Sequence, residues 1–232
     1  HTTGGYAVWT SMTHEYVFDY RPGQVYWCAA DVGWITGHSY IVYGPLLQGC
    51  TTVLYEGKPI MTPDAGAFWR VISEHGVKSL FTAPTAFRAI RREDPEGKLL
   101  SNYDLSSLRA LFLAGERCDP DTLNWAEKKL EVPVIDHWWQ TESGWAMAAN
   151  PMGIEPMEVK AGSPTVAVPG YDIRVLDDNG HRVPRRIAHK PGVIGRAGEA
   201  GIGGPRRAGD ARLRQVRPRR PGLVGVGQHL PH

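Results

Sequence analysis

The amino-acid sequence predicts an α/β layered domain. Short apolar runs rich in Val, Ile, Leu and Phe alternate with segments whose apolar residues recur at helical spacing. Pro or Asp opens several helical segments and Gly closes others, so the breaks fall between elements. Strands and helices that alternate in this way bury themselves as a sheet covered by helices. No internal repeat is visible, and no apolar run approaches the roughly 20 residues that cross a bilayer.

The elements follow in order. Tyr16–Tyr20 and Val25–Ala29 read as short strands around an Arg21-Pro22-Gly23 turn. Tyr40–Gln48 reads as a buried helix that stops near Gly49, and Cys50–Tyr55 as a β-branched strand stopped by Glu56-Gly57. Asp64–His75 is expected to be a helix opened by Pro63 and closed by Gly76, with Phe68, Val71 and Ile72 inward. Lys78–Thr82 reads as a strand and Pro84–Arg92 as a helix whose basic end suits its dipole. The run Arg88, Arg91, Arg92, Glu93, Asp94 reads most simply as a solvated helix end. Thr82-Ala83-Pro84-Thr85 either borders a site or caps that helix. Leu108–Ala114 is a buried strand that empties into Gly115-Glu116-Arg117-Cys118-Asp119-Pro120. Asp119 as N-cap and Pro120 at the first turn start a helix to about Glu131, with Leu123, Ala126 and Leu130 on one face. The Val132–Asp136 strand completes a βαβ unit, so the two strand ends should lie side by side. Further on, Tyr171–Leu176 alternates and meets an Asn179-Gly180 turn, a hairpin signal reaching about residue 184.

The net charge of +2 conceals two unlike parts. Residues 185–232 hold ten Arg, one Lys, one Glu and one Asp, a net of +9, which leaves −7 for residues 1–184. The same 48 residues carry ten Gly and five Pro but no Phe, Trp or Tyr. Such a segment buries too little apolar surface to offset its ordering entropy. Residues 185–232 are therefore expected to be an irregular basic tail. A wrong reading frame of a GC-rich gene accounts for this composition better than a linker, and a linker better than a nucleic-acid arm. The three cysteines show no paired spacing and no signal peptide is visible, which reads as a reduced, cytoplasmic protein. Nine histidines show no metal-ligand spacing.

Residues 132–145 are the richest in chemistry. An apolar run ends in Asp136, and His137, Trp138, Trp139, Gln140, Thr141, Glu142 and Gly144 follow. Ligands of parallel α/β sheets bind beyond the carboxyl ends of the strands. Glu142 is suited to a divalent cation, Thr141 to a phosphate, and the indoles to an apolar wall. A buried aromatic turn with a capping Thr and a solvated Glu is the plain alternative.

Ala114-Gly115-Glu116 upstream of Asp136-His137-Trp138-Trp139-Gln140-Thr141-Glu142 resembles the AMP-forming acyl-CoA synthetases of the adenylate-forming superfamily. The Trp-Trp-Gln-Thr-Glu form resembles the short-chain branch, acetyl- and propionyl-CoA synthetases. The likeness covers roughly residues 1–184. It implies activation of a small carboxylate with ATP and transfer of the acyl group to CoA, with Mg²⁺ as cofactor. It implies that Gly115, Glu116, Arg117, Asp136, His137 and Trp138 line the nucleotide. Gln140 and Thr141 would approach the α-phosphate and Glu142 would hold Mg²⁺, with Thr141 and Glu142 carrying the chemistry. Trp34, Ile35, Thr36, Ala114 and Trp139 would form the acyl pocket. For Trp34–Thr36 a Gly-rich loop capping the next helix is the alternative.

The resemblance also implies a partial adenylation domain over residues 1–184. His1-Thr2-Thr3-Gly4-Gly5-Tyr6 resembles the segment just after the family's phosphate loop, and that loop is not found. Nor is a match found after residue 184 for the family's Thr-Gly-Asp segment or its C-terminal Lys. The expectation is an internal fragment, weakly active or inactive by itself. Two rivals stand beside it. One is a peptide-synthetase adenylation domain, against which the bulk of Trp139 argues. The other is a non-catalytic protein whose basic tail binds nucleic acid.

Overall fold

The computed structural model describes residues 1–177, 179–182 and 212–214. Five parallel strands form the central sheet in the order β2-β1-β3-β4-β5: β1 Val25–Cys28, β2 Thr51–Thr52, β3 Ser79–Thr82, β4 Ala110–Leu113 and β5 Val134–Asp136. Register is continuous across the last three, with Thr82 beside Leu113 and Leu113 beside Asp136. The two strand ends of the βαβ unit therefore do lie side by side.

Period-two alternation splits the sheet's side chains between two cores. Trp27, Leu80, Leu111, Leu113 and Val134 face one side. There they meet α4 (Ala67–His75), α5 (Pro84–Glu93) and α6 (Pro120–Leu130), through residues such as Phe68, Val71, Ile72, Phe87, Ile90, Leu123 and Ala126. Tyr26, Cys28, Phe81, Phe112 and Ile135 face the other side. They meet α1 (Thr3–Met12) and the helical stretch that begins with α2 (Ile35–Gly37), passes a π-helical turn at His38–Tyr43 and ends in α3 (Gly44–Leu47). The result is three layers, helix on sheet on helix.

α6 forms as its sequence dictates. The Asp119 carboxylate accepts the Thr122 N–H at 2.9 Å, Pro120 occupies the first turn, and Glu131 closes the helix at φ +55°. Leu123, Ala126 and Leu130 are buried. α4 keeps its expected face and its left-handed Gly76, but begins at Ala67 rather than Asp64. The Asp64 carboxylate instead accepts the Gly66 N–H at 2.7 Å and turns the chain before the helix.

Other expectations are corrected. Tyr16–Tyr20 is not a strand: a π-helical turn, Thr13–Val17, extends α1, and Phe18 and Tyr20 then plunge into the aromatic core around His14. The alternating aromatics serve that core, not a sheet. The helix expected at Tyr40–Gln48 starts at Ile35, and Tyr43, Leu46 and Leu47 are more than half exposed, so it is buried on one face only. Of Cys50–Tyr55 only Thr51–Thr52 is strand, at the sheet edge, with the Val53 N–H donating to the Tyr26 carbonyl at 3.0 Å.

Beyond the sheet lies a small antiparallel one, β6 (Trp138–Trp139), β7 (Ala146–Ala149) and β8 (Val166–Ala167), unforeseen because β6 and β8 are two residues each. The turn expected at Asn179-Gly180 is present. β9 (Arg174–Leu176) precedes it, the Asp177 N–H donates to the His181 carbonyl at 2.9 Å, and Leu176 bridges Arg182. β9 also pairs antiparallel with β10 (Arg212–Arg214). The rest of the expected tail lies outside the described residues.

Candidate active site

Beyond the carboxyl ends of β4 and β5 opens a cavity of about 440 Å³. It is lined by Trp34, Ile35, Thr36, Gly115, Glu116, Arg117, Asp136, His137, Trp138, Trp139, Gln140, Thr141 and Glu142, joined by Gly162 and Pro164. Every residue that the sequence assigned to a site reaches this one cavity except Ala114. Ala114 is buried at the end of β4, its N–H donating to the Thr82 carbonyl at 3.2 Å.

The turn after β4 is held from two sides. Gly115 sits at φ +98°, a conformation that needs glycine. The Cys118 N–H donates to the Asp136 carboxylate at 3.2 Å, tying the turn to the end of β5. Asp136 is buried, and that burial raises its carboxyl to about 7, against the pull of the Cys118 amide and Arg117. Cys118 is buried beside it, its thiol pushed up to about 12 by desolvation and by Asp136. A thiol held neutral this way is no nucleophile.

His137 behaves as alternation demands. It follows Ile135 by two residues and points into the same core, where its ring lies among Phe18, Phe81 and Phe112 at centroid distances of 5.6, 4.9 and 5.8 Å. Among the described residues neither ring nitrogen makes a well-formed hydrogen bond, and desolvation, opposed by the Leu113 backbone, lowers its pKa to about 3. The ring is an apolar neighbour to the cavity rather than an acid or base.

The next segment crosses the cavity as β6 and returns as β7. The Ser143 hydroxyl fixes the turn between them. It accepts the Gln140 N–H at 3.0 Å and lies 2.8 Å from the Gln140 and Trp145 carbonyls. This leaves Thr141 and Glu142 exposed at the tip, at the lip of the cavity. Behind the tip, the His1 ring reaches the Thr141 carbonyl at 3.0 Å, and Ser39 donates to the Gly144 carbonyl at 2.7 Å. Ser39 follows Thr36 by one helical turn, so one helical stretch both lines the cavity through Ile35 and Thr36 and supports the tip. Trp34 stands 69% exposed at the helix start.

Gly162 and Pro164 carry no chemistry of their own, so sequence reasoning did not mark them. Gly162 sits at φ +77°, and a Cβ there would stand 3.2 Å from the Arg117 guanidinium. The glycine lets Arg117 lie along the wall.

The family model for AMP-binding enzymes matches residues 1–206. The chain belongs to the AMP-binding enzyme family. Among its relatives is an uncharacterized protein of Pseudomonas aeruginosa, 57% identical over 177 residues, 76% of this chain and 28% of that protein. The mitochondrial acyl-CoA synthetase short-chain family member 3 of Mus musculus is 53% identical over 188 residues, 79% of this chain and 27% of that protein. An acetyl-coenzyme A synthetase of Novosphingobium aromaticivorans is 48% identical over 183 residues, 78% of this chain and 27% of that protein. The chain thus spans little more than a quarter of the length of these relatives. The cavity gathers the two motifs on which the family resemblance rests. No helix among the described residues is long and apolar enough to cross a membrane.

Proposed function

We propose that this segment supplies the acyl-adenylate site of a short-chain acyl-CoA synthetase. A small carboxylate, acetate or propionate, attacks the α-phosphate of ATP and releases pyrophosphate. The CoA thiol then attacks the acyl carbon and releases AMP. The observation that carries this reading is the sharing of one cavity by the 115–117 turn, the 136–142 segment and Trp34–Thr36. Nucleotide-side and acyl-side groups must meet for a carboxylate to reach a phosphate.

In this reading Gly115, Glu116 and Arg117 with Asp136 and Trp138 wall the nucleotide. Trp139, Trp34, Ile35 and Thr36 enclose the acyl group. Gln140 and Thr141 donate to the phosphate, where negative charge develops. A group of three or more ligating side chains is absent among the described residues, but Mg²⁺ is held by one or two carboxylates together with substrate phosphates. Glu142, exposed at the lip, fits that mode, and a bound Mg²⁺ would neutralise phosphate charge. Three buried, unbridged cysteines favour a reducing compartment such as the cytoplasm.

A graft tests the assignment. Residues 1–177 would replace the matching segment of the mouse relative, followed by assay of ATP-dependent thioester formation from acetate and propionate. Thioester formation through acyl-AMP is expected. A folded chimera that makes no acyl-AMP from either acid overturns the proposal.

A further inference from the structure

We propose that Thr85 and Arg88, in the first turns of α5, are positioning residues that clamp the Gly115–Asp119 turn in its cavity-lining form. The inference rests on the proposed function only for what the turn is used for. The clamp itself is read from contacts. Arg88 reaches three points of the turn: the Glu116 carboxylate at 3.0 Å, the Arg117 carbonyl at 3.0 Å and the Asp119 carboxylate at 2.9 Å. The Thr85 N–H donates to the Glu116 carboxylate at 2.9 Å, and the Thr85 hydroxyl donates to the same oxygen. Asp119 offers its other oxygen to the Thr122 N–H and so links the turn to α6.

Residues 116, 117 and 119 are thereby tied to α5, and Cys118 is tied separately to Asp136. A Cβ at Gly115 would have no neighbour within 4 Å, so space is open around the residue about which the turn would swing. The Glu116 carboxylate is engaged by α5, and Gly115, Glu116 and Arg117 together line the cavity. A guanidinium suits this task because its spread, planar fork reaches two carboxylates and a carbonyl with three separate nitrogens, whereas an ammonium must serve them from one point. The side chains concerned are 36–44% exposed. Ion pairs that wet add little to global stability. The clamp's effect therefore belongs in the geometry of the turn and not in the melting temperature.

The test uses this chain with AMP as probe, in wild type, Arg88→Met, Arg88→Lys and Thr85→Val. Arg92→Met, at an outward position, is the control. Binding is followed by tryptophan fluorescence, and backbone hydrogen exchange is read at residues 115–119 and at β3 and β4. Arg88→Met should weaken AMP roughly tenfold, the scale of one lost charge-assisted hydrogen bond. Arg88→Lys should fall between, and Thr85→Val should weaken AMP by a smaller factor. Exchange should quicken at 115–119 but not in β3 or β4, with a melting temperature like that of the control. Wild-type affinity in both Arg88→Met and Thr85→Val overturns the clamp. A wild-type chain that binds no AMP counts against the proposed function instead, and the exchange data then decide. Unchanged exchange at 115–119 in Arg88→Met overturns the clamp, and selective quickening there upholds it.

Discussion

Tyr40 meets Trp139 edge to face, with ring centroids 5.0 Å apart and planes at 74°. Tyr40 is 1% exposed, so the core, not the loop, fixes where the indole stands. The wall it makes in the cavity is therefore rigid. In the chimera, Trp139→Gly should move preference from acetate or propionate toward acids several carbons longer. Each methylene admitted changes kcat/KM by roughly 10- to 200-fold. A chain-length profile that stays put in the Gly variant removes Trp139 from the acyl pocket.

Glu142 stands at the exposed tip of the turn that Ser143 braces. Glu142→Ala leaves that brace intact and removes the carboxylate. The chimera should lose Mg²⁺-dependent pyrophosphate exchange by about 100-fold or more, since metal charge stabilisation is worth several kcal/mol. Exchange at the parental rate would show that Glu142 holds no metal.

How much was legible depended on the range of the cause. α6 was legible in full because cap, Pro and the spacing of Leu123, Ala126 and Leu130 are all local. The βαβ unit followed from short connections. Tyr16–Tyr20 was misread because Tyr, Phe and Tyr at alternate positions suit a strand, and only the packing of Phe18 against Phe112, at 4.4 Å, reveals their use. The motif residues meet in one cavity because they follow the ends of adjacent strands. Arg88 was read as part of a solvated helix end because its partners lie 28 to 31 positions away. Asp94 in the same run is 7% exposed and accepts the Lys98 and Leu99 N–H groups, both at 2.8 Å. Gly162 was passed over for a like reason, since its partner Arg117 is remote in sequence.

Ser143 is 5% exposed and accepts the Gln140 N–H. Ser143→Ala removes that acceptor at the base of the tip. The cost should be about 1–3 kcal/mol of stability. It should come with faster exchange of the Gln140 amide. Denaturant unfolding indistinguishable from wild type would mean that the turn is held by its backbone bonds alone, Ser143 N–H and Gly144 N–H to the Gln140 carbonyl.

Acid should destabilise the fold, and the histidines set the sign. Desolvation lowers His14 to about 4 and His137 to about 3. The unfolded chain protonates both below about 6.5. Between pH 6.5 and about 4 the unfolded state therefore binds more protons, and stability falls as pH falls. Asp136 opposes them. Burial raises it to about 7, so between about 4 and 7 the folded state keeps a proton that the unfolded state has lost. Its contribution improves as pH falls through that window. Each group contributes about 1.4 kcal/mol per pH unit with its own sign, so two histidines outweigh one aspartate. His137→Phe leaves one against one and should make stability nearly flat from pH 6.5 to 4.5. The new ring would sit among Phe18, Phe81 and Phe112, and among the described residues neither His137 nitrogen makes a well-formed hydrogen bond for the change to break. Stability at pH 7 should therefore hold or rise. Urea unfolding of both proteins across that range decides it, and a wild-type slope in His137→Phe would show that His137 does not titrate on unfolding.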